Sequence, residues 1–153
     1  MKTVRQAAPA DARALAQLRW EFRSPLGTVA ESHDAFLDRC AAWIARELEA
    51  GEWRCWMAED DGRAIGQVWL RLIQKLPNPT AESERHAYLS NLYVDPGARG
   101  GVGERLLVAA LDAARRDGVD CVVLWPTERS RSLYARHGFR ADGTVMELKL
   151  GDR

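Results

Sequence analysis

The sequence predicts one α/β or α+β domain built on a mixed sheet, and three observations carry that expectation. Stretches alternating every second residue, Trp53-Cys55-Met57 and Val68-Leu70-Leu72, interleave with stretches at helical spacing such as Phe36, Cys40, Ile44 and Leu48. The run Cys121–Trp125 is continuously apolar, as expected of a strand covered on both faces. A strand-like segment, Tyr88–Val94, runs into a loop holding Gly97, Gly100, Gly101 and Gly103, and a helix follows at once.

The elements can be justified in order. Lys2–Ala7 reads as a first strand. Pro9 opens a helix through about Phe22, with Ala12, Leu15, Leu18 and Phe22 on one stripe. Ser24–Thr28, with Pro25 and Gly27, is a loop. Ser32–Ala50 reads as a second helix, stopped by Gly51. Asp60-Asp61-Gly62 is a turn signal that makes the next two strands a hairpin. Lys75–Arg85 is polar, contains two prolines and reads as a surface loop. After the glycine loop, Val102, Leu106, Ala110, Ala113 and Ala114 mark a helix ending at Gly118. Pro126 stops the CVVLW strand. Thr127 or Ser130 can N-cap a short helix through His137, with Gly138 after it. Met146, Leu148 and Leu150 alternate in a last strand. The order is βαα-ββ-βα-βαβ, a sheet of six to seven strands with about four helices, and residues 1–153 read as a single domain without repeat or linker.

Bulk properties exclude several function classes. At 153 residues roughly 70% of the unfolded chain's surface can be buried, enough for a self-sufficient core. The formal net charge is +0, so no bulk electrostatic pull toward nucleic acid or an anionic membrane exists. Cys40, Cys55 and Cys121 form no CxxC pair, and His33, His86 and His137 are scattered. That argues against a disulfide framework or a metal cage and suits a reducing cytoplasm. No apolar run reaches signal-peptide or membrane-spanning length, so a cytosolic protein is expected.

The glycine loop is the most informative motif. The first-turn N–H groups of a helix have no partners within it, and the macrodipole adds partial positive charge there. Glycines let the backbone approach a phosphate closely, and Arg99 can add a fixed cation. A tight strand–helix connection with no ligand is the alternative reading. A P-loop is excluded because no Gly-Lys-Ser/Thr follows. The G-x-G-x-x-G pattern fails at Leu106.

The segment V-D-P-x-x-R-G-x-x-G, then an amphipathic helix, a strand and LYARHGF, resembles the GNAT superfamily of N-acetyltransferases. The likeness covers most of the chain, including the opening QAAPADARALAQLR, and is strongest over Leu92–Leu107 and Ser132–Phe139. It implies that acetyl-CoA is the co-substrate. Its pantetheine and pyrophosphate would lie along Leu92, Tyr93, Val94, Arg99, Gly100, Gly101, Val102, Gly103 and Glu104, with Thr127 and Ser130 nearby. Two features depart from the family. Counting back from Gly103, the usual Gln/Arg position is Ala98, with Arg99 one place later, so the loop is about one residue short. Thr127 stands where many members carry Asn.

The resemblance also implies roles. Tyr134 matches the family tyrosine that reaches the CoA sulfur, and a phenol with pKa near ~10 can protonate a thiolate. Packing of its ring on the sheet is the alternative. The Val94 N–H is a candidate for the developing oxyanion. Many relatives place a carboxylate in the strand before the loop; here Ser90 and Asn91 occupy that segment, and neither takes a proton at neutral pH. Deprotonation of the amine would then use ordered water, His86, Glu84 or Glu82, unless the acceptor arrives neutral. His137 reads as structural, near a helix C-terminus. The six tryptophans mostly read as core. Trp56 and Trp69 either pack beneath the N-terminal helices or face an open cleft for a cationic or aromatic acceptor.

The expected activity is acetyl transfer to a primary amine of a small molecule or peptide. A CoA-binding sensor without catalysis, and a nucleotide-binding protein using the loop for another phosphate, are the competing readings. The resemblance allows a homodimer, although no interface stands out, and neither a metal nor a nucleic-acid partner is expected.

Overall fold

The structure, a computed structural model, describes residues 1–98 and 100–151. A central sheet of five strands runs in the order β1 (Lys2–Gln6), β2 (Trp53–Asp60), β3 (Arg63–Gln74), β4 (Arg85–Val94) and β5 (Cys121–Val123). The first four pair antiparallel, and β4 with β5 is parallel. Four α-helices complete the fold: α1 (Ala12–Arg23), α2 (His33–Ala50), α3 (Val102–Arg116) and α4 (Arg131–Arg136).

Local chemistry sets most of these boundaries. Pro9 sits in a 3-10 turn, Pro9–Asp11, that leads into α1. The Asp11 carboxylate accepts the Ala8 N–H at 2.8 Å and pairs with Arg5 at 2.8 Å. Ser32 caps α2 by accepting the Ala35 N–H at 3.2 Å. Asp61 and Gly62 both take positive φ, the geometry of a two-residue hairpin turn between β2 and β3.

The two faces of the sheet are covered by different helices. Cys55, Met57 and Trp69 pack beneath α1 and α2 with Leu15, Ala16, Leu37 and Ile44. Ala58, Ile65, Val68 and Leu70 pack beneath α3 with Leu106, Leu107, Ala110 and Leu111. Gly66 allows the close approach of α3 to the sheet. A Cβ there would lie 3.0 Å from the Tyr93 carbonyl oxygen and 3.1 Å from Leu106 Cδ1.

Several expectations are corrected. The sheet has five strands among the described residues, not six or seven. Met146, Leu148 and Leu150 form no strand and lie exposed, because alternation alone supplies no partner edge. The run Cys121–Trp125 contributes only three strand residues. They are not covered on both faces, since Cys121 is exposed and Val122 and Val123 are only partly buried. Trp125 leaves the sheet and is 63% exposed rather than core. Trp56 and Trp69 are each 5% exposed and line no cleft; they are buried on opposite faces, Trp56 toward α3 and Trp69 toward α1 and α2.

Candidate active site

The glycine loop does join a strand to an open helix end. Asp95 organises the turn. Its N–H donates to the Ile65 carbonyl at 2.8 Å, its own carbonyl accepts the Ala98 N–H at 2.8 Å, and its carboxylate accepts the Gly97 N–H at 3.0 Å. Gly101 is the N-cap of α3 at φ +82°, and no side chain caps the helix there. The first intrahelical bond runs from the Arg105 N–H to the Gly101 carbonyl at 3.1 Å. Among the described residues, no acceptor takes the N–H groups of Val102, Gly103 and Glu104, so the helix start can receive an anion. Arg99, expected to add a cation, lies outside the described residues. Lys2 Nζ donates to the Ala98 carbonyl at 3.2 Å and brings a different cation to the loop. No sequence signal marks it, since the contact spans 96 residues.

Strand β4 is distorted where it meets the site. Between Trp69↔Ser90 and Gln67↔Tyr93, β3 supplies one intervening residue and β4 two, Asn91 and Leu92. That is a β-bulge, and Asn91 takes φ +59° within it. Asparagine tolerates this left-handed conformation better than most residues with a Cβ. Arg19 Nη1 donates to Asn91 Oδ1 at 2.7 Å and ties the bulge to α1. Because the Asp95 N–H points to β3, the preceding Val94 N–H projects to the other side of the strand.

That other side is open. β4 and β5 pair at His86↔Cys121, Ala87↔Val122 and Tyr88↔Val123, and pairing then ends. From Leu89 to Val94 no strand lies beside β4 on this edge among the described residues. The two strands part there, and the unpaired edge of β4 runs from Leu89 past the bulge toward the α3 terminus.

Tyr134 lies on α4, 8% exposed, with its ring edge-on to Phe139 at 5.5 Å. Burial raises its pKa above the ordinary phenol value. His137, one turn later, contacts Glu104 at 2.7 Å and holds α4 against the first turn of α3. Glu104, expected to face the cofactor, thus has a side-chain partner already, as a structural His137 requires. Thr127 and Ser130 form a reciprocal capping pair: the Thr127 N–H donates to Ser130 Oγ at 2.9 Å and the Ser130 N–H to Thr127 Oγ1 at 3.3 Å. Their side chains serve the turn before α4.

Ser90 and Asn91 both sit at the bulge. Ser90 Oγ accepts the Tyr88 hydroxyl at 3.2 Å. The other base candidates lie far off. His86 is five residues before Asn91, roughly 16 Å along an extended strand, and contacts Asp120 at 3.0 Å. Glu84 and Glu82 are beyond it and bind Asn78 at 3.1 and 2.6 Å. Among the described residues, no group of His, Cys, Asp or Glu is placed to hold a metal ion.

A cavity of about 280 Å³ opens between the end of α1 and the start of α2, walled by Trp20, Phe36, Arg19, Arg23 and Arg39. Arg19 belongs to both this cavity and the β4 bulge. Sequence reasoning missed it because a lone arginine in an amphipathic helix carries no mark. Gln67 was missed too. It is fully buried beside Trp69, whose Nε1–H donates to its Oε1 at 3.0 Å, and its Nε2 has no partner among the described residues. Its place in the apolar run IGQVWL was the available signal.

The acetyltransferase (GNAT) family matches residues 12–139. An N-acetyltransferase of Bacillus subtilis (strain 168) without an assigned role is 33% identical, covering 91% of this chain and 90% of its own. An aminoglycoside N(6')-acetyltransferase type 1 of Stenotrophomonas maltophilia is 35% identical, covering 92% of this chain and 84% of its own. Among solved structures, a GCN5-related N-acetyltransferase from Ralstonia eutropha superposes with a TM-score of 0.78 at 26% identity, covering 99% of this chain and 100% of its own. A predicted acetyltransferase of Clostridium acetobutylicum, crystallised with acetyl-CoA, shares the fold with a TM-score of 0.77 at 20% identity, over 98% of this chain and 97% of its own. With its bulged β4, its unpaired β4 edge beyond β5 and its open α3 terminus, the chain belongs to the acetyltransferase (GNAT) family, a family of acyl-transferring enzymes.

Proposed function

We propose that this protein moves the acetyl group of acetyl-CoA to a primary amine of a small molecule or peptide by direct attack, with residues 1–153 acting as one transferase domain. The observation that carries the reading is the unpaired edge of β4. It begins where β5 pairing ends after Tyr88 and leads to the uncapped N-terminus of α3. The α3 amides of Val102, Gly103 and Glu104, with Gly100, Gly101 and Arg99, would hold the diphosphate. Leu92, Tyr93 and Val94 would flank the pantetheine, with Thr127 and Ser130 shaping the far wall.

The amine nitrogen attacks the thioester carbonyl carbon, the C–S bond breaks, and the released thiolate takes a proton from the Tyr134 hydroxyl. The Val94 N–H offers a hydrogen bond to the charge developing on the carbonyl oxygen. Asn91 and Ser90 act by fixing the bulge rather than by proton transfer. The amine's proton leaves to water, and solvent returns one to the Tyr134 phenolate, restoring the hydroxyl for the next turnover. Support for an amine acceptor comes from the relatives, which are named for aminoglycoside and glucosamine 6-phosphate acetylation. A cytoplasmic location fits the three free cysteines. A homodimer is part of the proposal. Its support is the exposed apolar side chains of Val145, Met146, Leu148 and Leu150, and sedimentation analysis tests it.

Calorimetric titration with acetyl-CoA, followed by thiol release over a panel of amines, tests the reading. Failure to bind acetyl-CoA sinks it. Binding without thiol release favours a second reading, an acyl-CoA-binding regulatory module, which the lack of a carboxylate at Ser90-Asn91 supports.

A further inference from the structure

The cavity between α1 and α2 carries an uncompensated positive charge. Arg19 and Arg23 lie one helical turn apart on α1 and both wall it, as do Arg39 and Glu31. Glu31 is committed to Arg39, the two forming an ion pair. Arg19 is half-buried, and its one hydrogen bond among the described residues goes to a neutral acceptor, Asn91 Oδ1. A guanidinium has five N–H donors, so most of its capacity is unused. Arg23 lies over the Phe22 ring, 5.6 Å from its centroid, and has no carboxylate partner among the described residues. Burial, and then the nearby Arg23 charge, lower the Arg19 pKa. Two like charges on one helical turn repel, and a partly desolvated cation without a counter-ion is costly. One anion between them relieves both penalties and accepts paired N–H donors, the geometry in which arginine binds carboxylate or phosphate most strongly.

We propose that this cavity is an anion subsite for the acceptor: the substrate is a small amine that also bears a carboxylate or phosphate, held by Arg19 and Arg23. This inference rests on the acetyl-transfer reading and names its substrate class. Arg19 supplies the connection. The same side chain walls the cavity and holds the β4 bulge, so an acceptor anchored there has its amine near the unpaired edge of β4. Ser24 and Thr28 add hydroxyls to the cavity wall, and Trp20 and Phe36, with ring centroids 5.6 Å apart, give it an apolar side. A polycationic acceptor meets two unneutralised arginines and is disfavoured. In that respect the chain parts from its aminoglycoside-acetylating relative.

The test uses matched pairs with the full chain: glucosamine 6-phosphate against glucosamine for phosphate, and amino acids against their amides for carboxylate. Binding is followed by calorimetry with CoA present, and turnover through thiol release. The anionic member of at least one pair should show at least a 30-fold advantage in both readouts, and the favoured pair identifies the anion. Arg23→Gln, a substitution at an exposed position, should cut that advantage at least tenfold without altering acetyl-CoA affinity. Arg19→Gln should cut the advantage as well, and Arg19→Lys should retain part of it. Equal or better binding of the neutral members, an unchanged ratio in Arg23→Gln, or no saturable binding of any anionic amine overturns the subsite. The acetyl-CoA titration is a separate measurement, so failure of the transferase reading is recognised on its own.

Discussion

Replacing Tyr134 by Phe removes one oxygen from a buried ring and leaves the packing intact. Tyr134 is 8% exposed and stacks edge-on with Phe139, contacts a phenylalanine keeps. Burial alone raises its pKa, and no hydrogen bond to its hydroxyl contributes. Removing a hydroxyl with no protein partner changes folding stability by no more than about 0.5 kcal/mol. Any kinetic effect is then a property of the hydroxyl. Its size can be bounded. A thiol has a pKa near 8.5 and a phenol near 10, so proton transfer from Tyr134 to a thiolate is uphill by at least about 1.5 units, or roughly 2 kcal/mol. Burial widens that gap. The contribution therefore belongs at the low end of the 10²–10⁴ range for general acids, about 10² in kcat, or roughly 2.7 kcal/mol. The assay is thiol release under saturating acetyl-CoA, beside calorimetric acetyl-CoA affinity and a thermal melt. Affinity should stay within about threefold and the melt should be unchanged. A kcat within a factor of three of the parent refutes the role of Tyr134 as proton donor. The direction of the shift also fixes a pH limit: the phenol stays protonated through neutral and mildly alkaline pH, so any loss of rate from its ionisation begins above about pH 10.

Other expectations follow from the same structure. Asn91→Gly keeps the positive φ and loses only the Arg19 hydrogen bond, whereas Asn91→Val loses that bond and also forces a β-branched residue into the left-handed conformation, so Val should be less stable than Gly by about 1–3 kcal/mol in denaturant unfolding. Gly66→Ala sets a Cβ against the Tyr93 carbonyl and should destabilise by about 1–3 kcal/mol while weakening acetyl-CoA binding through displacement of β4; an unchanged melt contradicts this. The Arg5 ion pair depresses the Asp11 pKa, so this pair stabilises the fold above the ordinary carboxylate range and the effect is lost as pH falls through the depressed value. Asp11→Asn should lower the melting temperature at pH 7 and flatten its decline below about pH 4; parallel pH profiles would exclude the pair as a stabilising element.

How much could be read from the chain depended on the range of the determinant. Ser32, Gly51 and Asp61-Gly62 act within a turn, so the α2 boundaries and the β2–β3 hairpin were legible. The glycine loop was legible for the same reason, because an uncapped helix start is a local property. The β4 bulge was not. It depends on a register difference between Gln67↔Tyr93 and Trp69↔Ser90 that no single strand reveals. Arg19 and Lys2 were illegible because their partners, Asn91 and Ala98, are 72 and 96 residues away. The C-terminal strand failed in the opposite way: the alternation of Met146, Leu148 and Leu150 is genuine, but a strand also needs a neighbour, and pattern cannot supply one.

The sheet is held very unevenly across its width. β3 and β4 are in register over most of their length, while β5 meets β4 at three positions and α4 buries a single residue, Tyr134. The flank carrying the proposed proton donor is therefore the least cooperative part of the molecule, able to detach and return while the hairpin and the α3 contact persist. Amides of 121–136 should exchange with deuterium well before those of β2 and β3. A spent coenzyme trapped beside the unpaired edge of β4 could then leave through transient detachment of that flank, which would tie the turnover rate to how often the edge of the sheet frays.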